Sequence, residues 1–235
     1  MGTMTIRDNL VRVQEQIANA ANRAGRKADE ITLIAVSKTH PAEAIQEAFE
    51  TGLRHFGENR VQEWEGKRRG IADLPATWHL IGHLQSNKAA KAAQLFHCVD
   101  SVDDFALAQK LARASDEFIG GRTLRVLIEV HLGGEESKSG VAEAELAELA
   151  EKIKALPQME LAGLMCIPPY CEEAERVRPY FVRLRELRDQ TQARLGQVLP
   201  VLSMGMSHDF ECAILEGATE VRIGAAIFGA RVMTQ

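Results

Sequence analysis

Hydrophobic residues along the chain alternate between two spacings, and the alternation predicts repeated strand and helix units. A helix is predicted first, over residues 5–24, because Ile6, Leu10, Val13 and Ile17 recur at helical spacing before Gly25. Short apolar runs typical of buried strands follow at residues 31–36, 54–56, 77–81, 97–99, 124–130, 160–165, 198–202 and 220–223. Helical patterns lie between them, at residues 41–50, 60–69, 86–95, 103–118, 142–156, 172–195 and 208–216.

About eight strand-then-helix units are enough to close a TIM-type (β/α)8 barrel, which is the fold we predict. An open doubly wound sheet has the same alternation and is the alternative. No linker, repeat or low-complexity stretch divides the 235 residues. We therefore predict a single domain over residues 1–235, in which residues 1–25 form a helix that flanks the barrel.

Charge and cysteine content narrow the class of protein. The 28 basic and 33 acidic residues are interspersed and give a net charge of −5, so we expect no nucleic-acid partner. Neither a signal peptide nor a bilayer-spanning apolar run is found, and we expect no membrane partner. Four cysteines without C-x-x-C spacing argue against a disulfide framework or a zinc cage, and favour the cytoplasm.

In a barrel, the residues just after each strand build the ligand site at the C-terminal mouth. Lys38 follows the first predicted strand. Partial burial there would lower the pKa of its amine, as a Schiff-base lysine requires. A solvated lysine that caps the strand end is the alternative, and position alone does not decide between them.

Two glycine-containing turns, residues 203–207 and 222–225, follow the last two predicted strands, where barrels commonly hold a phosphate. Ser207 would either cap the helix predicted at 208–216 or donate its hydroxyl to the phosphate. Arg222 ends an apolar strand and needs an acceptor, which could also be a carboxylate such as Glu58.

His79 and His83 are four residues apart, but they fall on a predicted strand and the loop after it, where they would not share a helical face. No carboxylate or cysteine completes a ligand set in the sequence, so we predict hydrogen-bonded histidines at the barrel rim and no metal site. A nucleophile elbow, a P-loop and a G-x-G-x-x-G motif are also missing, which disfavours hydrolases and dinucleotide-binding enzymes.

Several motif blocks, in order over nearly the whole chain, resemble the pyridoxal phosphate homeostasis protein family. They occupy residues 34–39, 55–63, 78–88, 137–140, 163–165, 202–210 and 221–224. The resemblance implies a fold like the barrel domain of alanine racemase, with pyridoxal 5′-phosphate (PLP) bound to Lys38 as an aldimine.

The resemblance also implies the other contacts to the cofactor. Arg222 would face the pyridine nitrogen and Asn59 would lie near the ring. The implied phosphate site consists of Ser207, Gly224 and the backbone at Met206 and Ala225. The chain departs from the family pattern at Ala218 and Ala225, where hydroxyl residues are expected, so a contact at Ala225 rests on its backbone N–H alone.

The implied function is that of a monomeric carrier in vitamin B6 homeostasis, which delivers PLP to apoenzymes and has no committed catalytic activity. An arginine at the pyridine nitrogen leaves it unprotonated and makes the cofactor a weak electron sink. This chain ends soon after the last predicted strand, so we do not expect the second domain that supplies an acid/base in alanine racemases.

Two other functional hypotheses stay open. The first is a small fold-type III amino-acid racemase or decarboxylase, and the second is a barrel aldolase that uses Lys38 on a phosphorylated sugar. Lys138, in the loop at 135–140, is either a second lysine that takes part in cofactor transfer or a solvated side chain. Tyr170 could reach the mouth, although a role in the loop alone is equally compatible with its position.

Overall fold

A computed structural model describes residues 5–118, 123–133 and 139–229 of the chain. Its eight parallel strands form a closed barrel in which each strand pairs with the next and the last pairs with the first. The strands are β1 Thr32–Val36, β2 His55–Glu58, β3 Thr77–Leu80, β4 Cys98–Val102, β5 Leu124–Glu129, β6 Met159–Met165, β7 Val201–Met206 and β8 Glu220–Ile223. The predicted (β/α)8 barrel is confirmed, and the open doubly wound sheet is wrong.

Helices surround the barrel. They are α1 Ile6–Arg23, α2 Ala42–Glu50, α3 Val61–Lys67, α4 Ala89–Leu95, α5 Phe105–Phe118, α6 Glu143–Lys154, α7 Arg178–Leu195, α8 Phe210–Leu215 and α9 Ala225–Phe228. The helices predicted at 86–95 and 172–195 contain 3-10 segments, Ser86–Lys88 and Ala174–Val177. No helix among these residues combines the length and apolar character needed to cross a bilayer.

The seventh strand lies further along the chain than predicted. Residues 198–202 were expected, whereas β7 covers Val201–Met206. Pro200 has no N–H to donate to a neighbouring strand, which disfavours an earlier start. The Ser-Met-Gly-Met segment that resembles a turn is instead part of β7, where Ser203 pairs with β6 and β8 and Met206 pairs with β8, with an irregular register between them.

Helix α1 flanks the barrel, and a capping box defines its start. Thr5 Oγ1 accepts from Asp8 N–H at 3.1 Å, and Asp8 Oδ2 accepts from Thr5 N–H at the same distance. Asn9 is buried and donates its side-chain amide to Ile227 O at 3.0 Å. The helix therefore joins the first and last described parts of the chain.

The core has an apolar layer outside the strands and a largely polar interior. Outside, the ring of Trp64 on α3 lies 3.9 Å from that of Trp78 on β3, centroid to centroid. Inside, Arg125 on β5 donates to Glu220 on β8. Since β5 and β8 are not neighbours in the barrel, this pair must span its interior.

Candidate functional site

The closed parallel barrel brings all eight strand-end loops to one mouth, where the predicted site residues lie. Lys38 is half-buried in the turn that follows β1. Gly224 follows β8 and packs against β1, since a Cβ at this position would come within 3.2 Å of Val36 O. Gly224 is thus in direct contact with the end of β1, two residues before Lys38.

Ser207 links the two loops that were predicted to hold a phosphate. Its Oγ lies 3.3 Å from Gly224 N and 3.5 Å from Ala226 N, which both donate to it. Helix α8 begins at Phe210 with Asp209 as its N-cap residue, so the alternative in which Ser207 caps this helix is wrong. The hydroxyl and the N–H groups of the loop after β8 form one polar cluster.

Two further backbone donors were predicted to contact the phosphate. Ala225 opens α9, and an N–H in the first turn of a helix has no acceptor within that helix. Met206 N–H instead donates to Asp209 Oδ1 at 2.6 Å. Burial raises the pKa of the Asp209 carboxyl, and the Met206 hydrogen bond only partly opposes this. The Met206 N–H, which the family resemblance assigns to the phosphate, therefore already donates to Asp209.

Gly205 allows this turn to form. Its φ is +93°, and a Cβ there would lie 2.6 Å from Ala213 Cβ and 2.9 Å from Phe210 Cα. Any other residue would be strained in backbone conformation and would push α8 away from β7. The position of Ser207 thus depends on a glycine two residues before it.

Arg222 is 3% exposed and lies across the barrel interior. Its guanidinium donates to Ser203 Oγ and to Cys166 O, both at 2.8 Å. The alternative acceptor considered from the sequence, Glu58, is wrong, because that carboxylate pairs with Lys67. A buried arginine held by two neutral acceptors keeps its full positive charge for an electron-rich ligand atom.

Asn59 lies apart from the phosphate loops, on the side of the mouth formed after β2 and β3. It is half-buried and lines a cavity of about 420 Å3 together with Arg60, Gln62, His83 and Lys88, among others. The other six predicted site residues do not line this cavity. Among the predicted site residues, direct contact is seen between Ser207 and Gly224, and Gly224 in turn packs against the end of β1.

His79 is inside the barrel and fully buried, so its predicted place at the rim is wrong. Its Nδ1 is 2.9 Å from Asp100 Oδ2, and its Nε2 is 3.1 Å from His55 Nδ1. Burial alone would lower the pKa of His79, but the Asp100 carboxylate outweighs burial and raises it to about 10. Burial lowers the pKa of His55 to about 4. His83 is exposed and pairs with Asp103 at 3.3 Å.

The sequence argument that no carboxylate or cysteine completes a ligand set is also wrong for His79. Ligand atoms of His79, Cys98 and Asp100 lie within 4.8 Å of one another, so the three residues could hold a metal ion. Arg125 Nη1 donates to Cys98 Sγ at 3.4 Å, which places a positive charge against this group. The residues meet because His79 and Cys98 are in register on β3 and β4, and that register was not predictable from spacing.

Sequence reasoning missed two charged residues near the mouth. Glu129 ends β5, is buried, and accepts from Ser139 Oγ at 3.0 Å. Burial raises the pKa of its carboxyl. Lys67, at the end of α3, contacts the turn that carries Lys38. Neither residue follows a motif with known chemistry, so only proximity in the fold reveals them.

Lys138 lies outside the described residues. Tyr170 is 81% exposed, and its ring lies 5.9 Å from that of His208, centroid to centroid. It therefore stands at the surface near the Ser207 loop.

Comparison with known proteins gives consistent relatives. A family model described as "Alanine racemase, N-terminal domain" matches residues 9–232. The pyridoxal phosphate homeostasis protein of Aquifex aeolicus (strain VF5) is 48% identical over 224 residues, which are 95% of this chain and 97% of that protein.

Solved structures include one relative that is similar in sequence and fold and one that is similar in fold alone. PipY of Synechococcus elongatus PCC7942, whose structure was solved with PLP bound, is 39% identical with a TM-score of 0.85, over 96% of this chain and 100% of that one. An alanine racemase of Clostridium difficile 630 shares the fold, with a TM-score of 0.75 at 15% identity, over 95% of this chain and 56% of that one.

Proposed function

This chain belongs to the pyridoxal phosphate homeostasis protein family, and from that premise we propose that it binds PLP at the barrel mouth and takes part in vitamin B6 homeostasis. The family membership bears out the cofactor that the sequence resemblance implies. We further propose that Lys38 Nζ forms the covalent bond to the cofactor. Condensation of this amine with the aldehyde forms one C=N bond and releases one water.

The polar cluster around Ser207 is the observation that carries the proposed site. Ser207 Oγ and the N–H groups of Gly224 and Ala226 converge on one spot, which suits the three acceptor oxygens of a phosphate ester. Gly224, the residue after β8, also touches Val36 at the end of β1, two residues before Lys38. PLP carries its aldehyde and its phosphate arm on neighbouring ring carbons, so these two adjacent parts of the mouth suit one PLP molecule.

Arg222 supports a role in carrying the cofactor rather than in broad catalysis. Its guanidinium stays charged and can only donate, so a pyridine nitrogen opposite it would be held without a proton. PLP then supplies only weak electron withdrawal to bonds at the amine. We therefore propose that the protein yields PLP to apoenzymes and has no committed reaction of its own.

The proposal also covers the cellular location of the protein, its oligomeric state and the recipients of PLP. We propose that the protein acts in the cytoplasm as a monomer, with PLP-dependent apoenzymes as recipients. The interspersed charge and the four free cysteines support this setting.

The absorbance spectrum of the protein mixed with PLP tests the proposed site. Wild type should develop a visible band that Lys38→Ala lacks, and borohydride reduction should leave a pyridoxyl group on the peptide that contains Lys38. A band of equal strength in Lys38→Ala, or label confined to other lysines, would remove Lys38 from the site.

A second experiment separates the carrier from an enzyme. Loaded protein is incubated with single L- and D-amino acids in heavy water, and exchange at the α-carbon is followed by NMR. The carrier proposal expects no sustained turnover, whereas transfer of PLP should restore the activity of an added PLP-dependent apoenzyme. Sustained α-proton exchange would favour a racemase instead.

A further inference from the structure

Lys67, the last residue of helix α3, contacts the backbone of the turn that carries Lys38. Lys67 Nζ donates to Ser37 O at 2.9 Å and to His40 O at 3.2 Å, the carbonyls on either side of Lys38 and Thr39. The same ammonium pairs with Glu58 Oε1 at 2.8 Å and with Glu63 Oε1 at 2.9 Å. One nearly buried cation therefore connects the turn, the end of β2 and helix α3.

Glu58 joins the same group from the end of β2. Its side chain is 0% exposed, and its Oε1 also accepts from Ser37 Oγ at 2.6 Å. Burial raises the pKa of the Glu58 carboxyl, while Lys67 and Ser37 partly oppose this. Its Oε2 has no hydrogen-bond partner among the described residues. An ion pair buried at this cost adds little to stability, so stability alone does not account for it.

Thr39 shows that the turn is held in an unfavourable conformation. Its φ is +67°, a left-handed value that is unfavourable for a β-branched residue. Thr39 N–H donates to Glu63 Oε1, the oxygen that also pairs with Lys67. Such a backbone conformation persists only where its surroundings impose it, and here Lys67 and Glu63 supply the contacts.

We propose that Lys67 is a positioning residue, which holds the 37–40 turn in the conformation that presents the Lys38 amine to the aldehyde of PLP. This inference rests on the proposed function. Lys67 itself does not react. Its contacts act on the backbone before and after Lys38. Loss of these contacts should leave the polar cluster around Ser207 intact and should let the Lys38 amine leave its reactive position.

Lys67→Met tests the proposal, because methionine keeps much of the side-chain volume and removes the charge. The double variant Lys67→Met/Glu58→Gln avoids an unpaired carboxylate and serves if the single variant folds poorly. Lys91→Met is the matched control, since Lys91 pairs with Glu65 at 2.6 Å on the exposed surface of neighbouring helices.

Two ligands separate positioning of the amine from damage to the whole site. PLP can condense with Lys38, whereas pyridoxine 5′-phosphate has the same ring and phosphate with an alcohol in place of the aldehyde. We expect Lys67→Met to slow formation of the covalent band roughly tenfold or more. Binding of pyridoxine 5′-phosphate should change less than about twofold, and Lys91→Met should behave as wild type. Unchanged band formation, or an equal loss for both ligands, would overturn the proposal.

Hydrogen exchange on the ligand-free protein tests the contact independently of the cofactor. The amides of Thr39 and His40 donate to Glu63 and to Ser37 O, and both should exchange faster in Lys67→Met than in wild type or Lys91→Met. Unchanged exchange would overturn the proposal. If wild type formed no covalent band but exchange did respond, the proposed function would fail while the hold of Lys67 on the turn would stand.

Discussion

At the scale of single residues, buried charged groups in the barrel interior pair with partners on neighbouring strands. His79 is an imidazolium because Asp100 lies 2.9 Å away, although burial acts in the opposite direction. Its second nitrogen contacts His55, whose lowered pKa leaves it neutral and able to accept. The chain of His55, His79 and Asp100 therefore has one defined proton arrangement at neutral pH.

The raised pKa of His79 predicts a pH dependence of stability. The unfolded value is 6.5 and the folded value about 10, so the contribution is complete below pH 6.5, declines above it, and is gone above about pH 10. Asp100→Asn removes the anion that holds this proton and should flatten the decline between pH 7 and 10. Urea unfolding at a series of pH values measures how the free energy of unfolding changes with pH.

Asp103→Asn is the matched control for that experiment, since it removes a carboxylate beside the exposed His83. Its unfolding free energy should follow pH as wild type does. Parallel profiles for wild type and Asp100→Asn would show that His79 carries no extra proton in the folded protein.

At the scale of elements, the distance between neighbouring strands is set partly by glycine. Gly163 on β6 stands against β7 so closely that a Cβ would lie 2.0 Å from Val201 O. Backbone cannot yield as a flexible side chain can, so a larger residue must separate the two strands. β7 ends in the Ser207 loop, and any such shift reaches the candidate site.

Gly163→Ala should therefore destabilise the protein by about 3 kcal/mol, measured as a lower urea midpoint at an unchanged m-value. Gly66→Ala is the control, because a Cβ at Gly66 meets nothing within 4 Å inside helix α3. That change should be neutral or stabilise by up to about 1 kcal/mol. Equal effects of the two substitutions would contradict the close-approach argument.

At the scale of the whole molecule, the candidate site is made of segments at strand ends that only closure of the barrel brings together. Gly224, after β8, meets Val36 at the end of β1 and donates its N–H to Ser207 after β7. A ligand that contacts both ends of the chain stabilises the folded state against unfolding as a unit.

PLP should accordingly raise the thermal unfolding midpoint of wild type. At a free concentration one hundred times its Kd, the stabilisation is about 2.7 kcal/mol, or several degrees for a chain of this length. Differential scanning calorimetry with and without PLP measures the shift. Lys38→Ala should retain only the smaller part due to phosphate contacts, and a full shift in that variant would show that covalent attachment contributes nothing.

Much of the architecture was predictable because strand and helix periods are local properties. Apolar runs such as residues 31–36 and 220–223 predicted β1 and β8 within a residue of their bounds. Misplacement of β7 had a local cause too, since Gly205 suggests a turn in sequence, whereas β7 continues through it with an irregular register and a positive φ. The motif blocks also indicated the family, the cofactor and the residues at the mouth.

The amino-acid sequence by itself thus determined the barrel class and the family, and it predicted the positions after each strand where we propose ligand contacts. Only the tertiary structure decided which side chains meet: Arg222 with Ser203 rather than Glu58, His79 with Asp100, and Lys67 with the turn around Lys38. The physical reason is that periodicity depends on neighbours a few positions away. Contacts within and around a barrel depend on strand register and closure, which join residues that lie far apart along the chain.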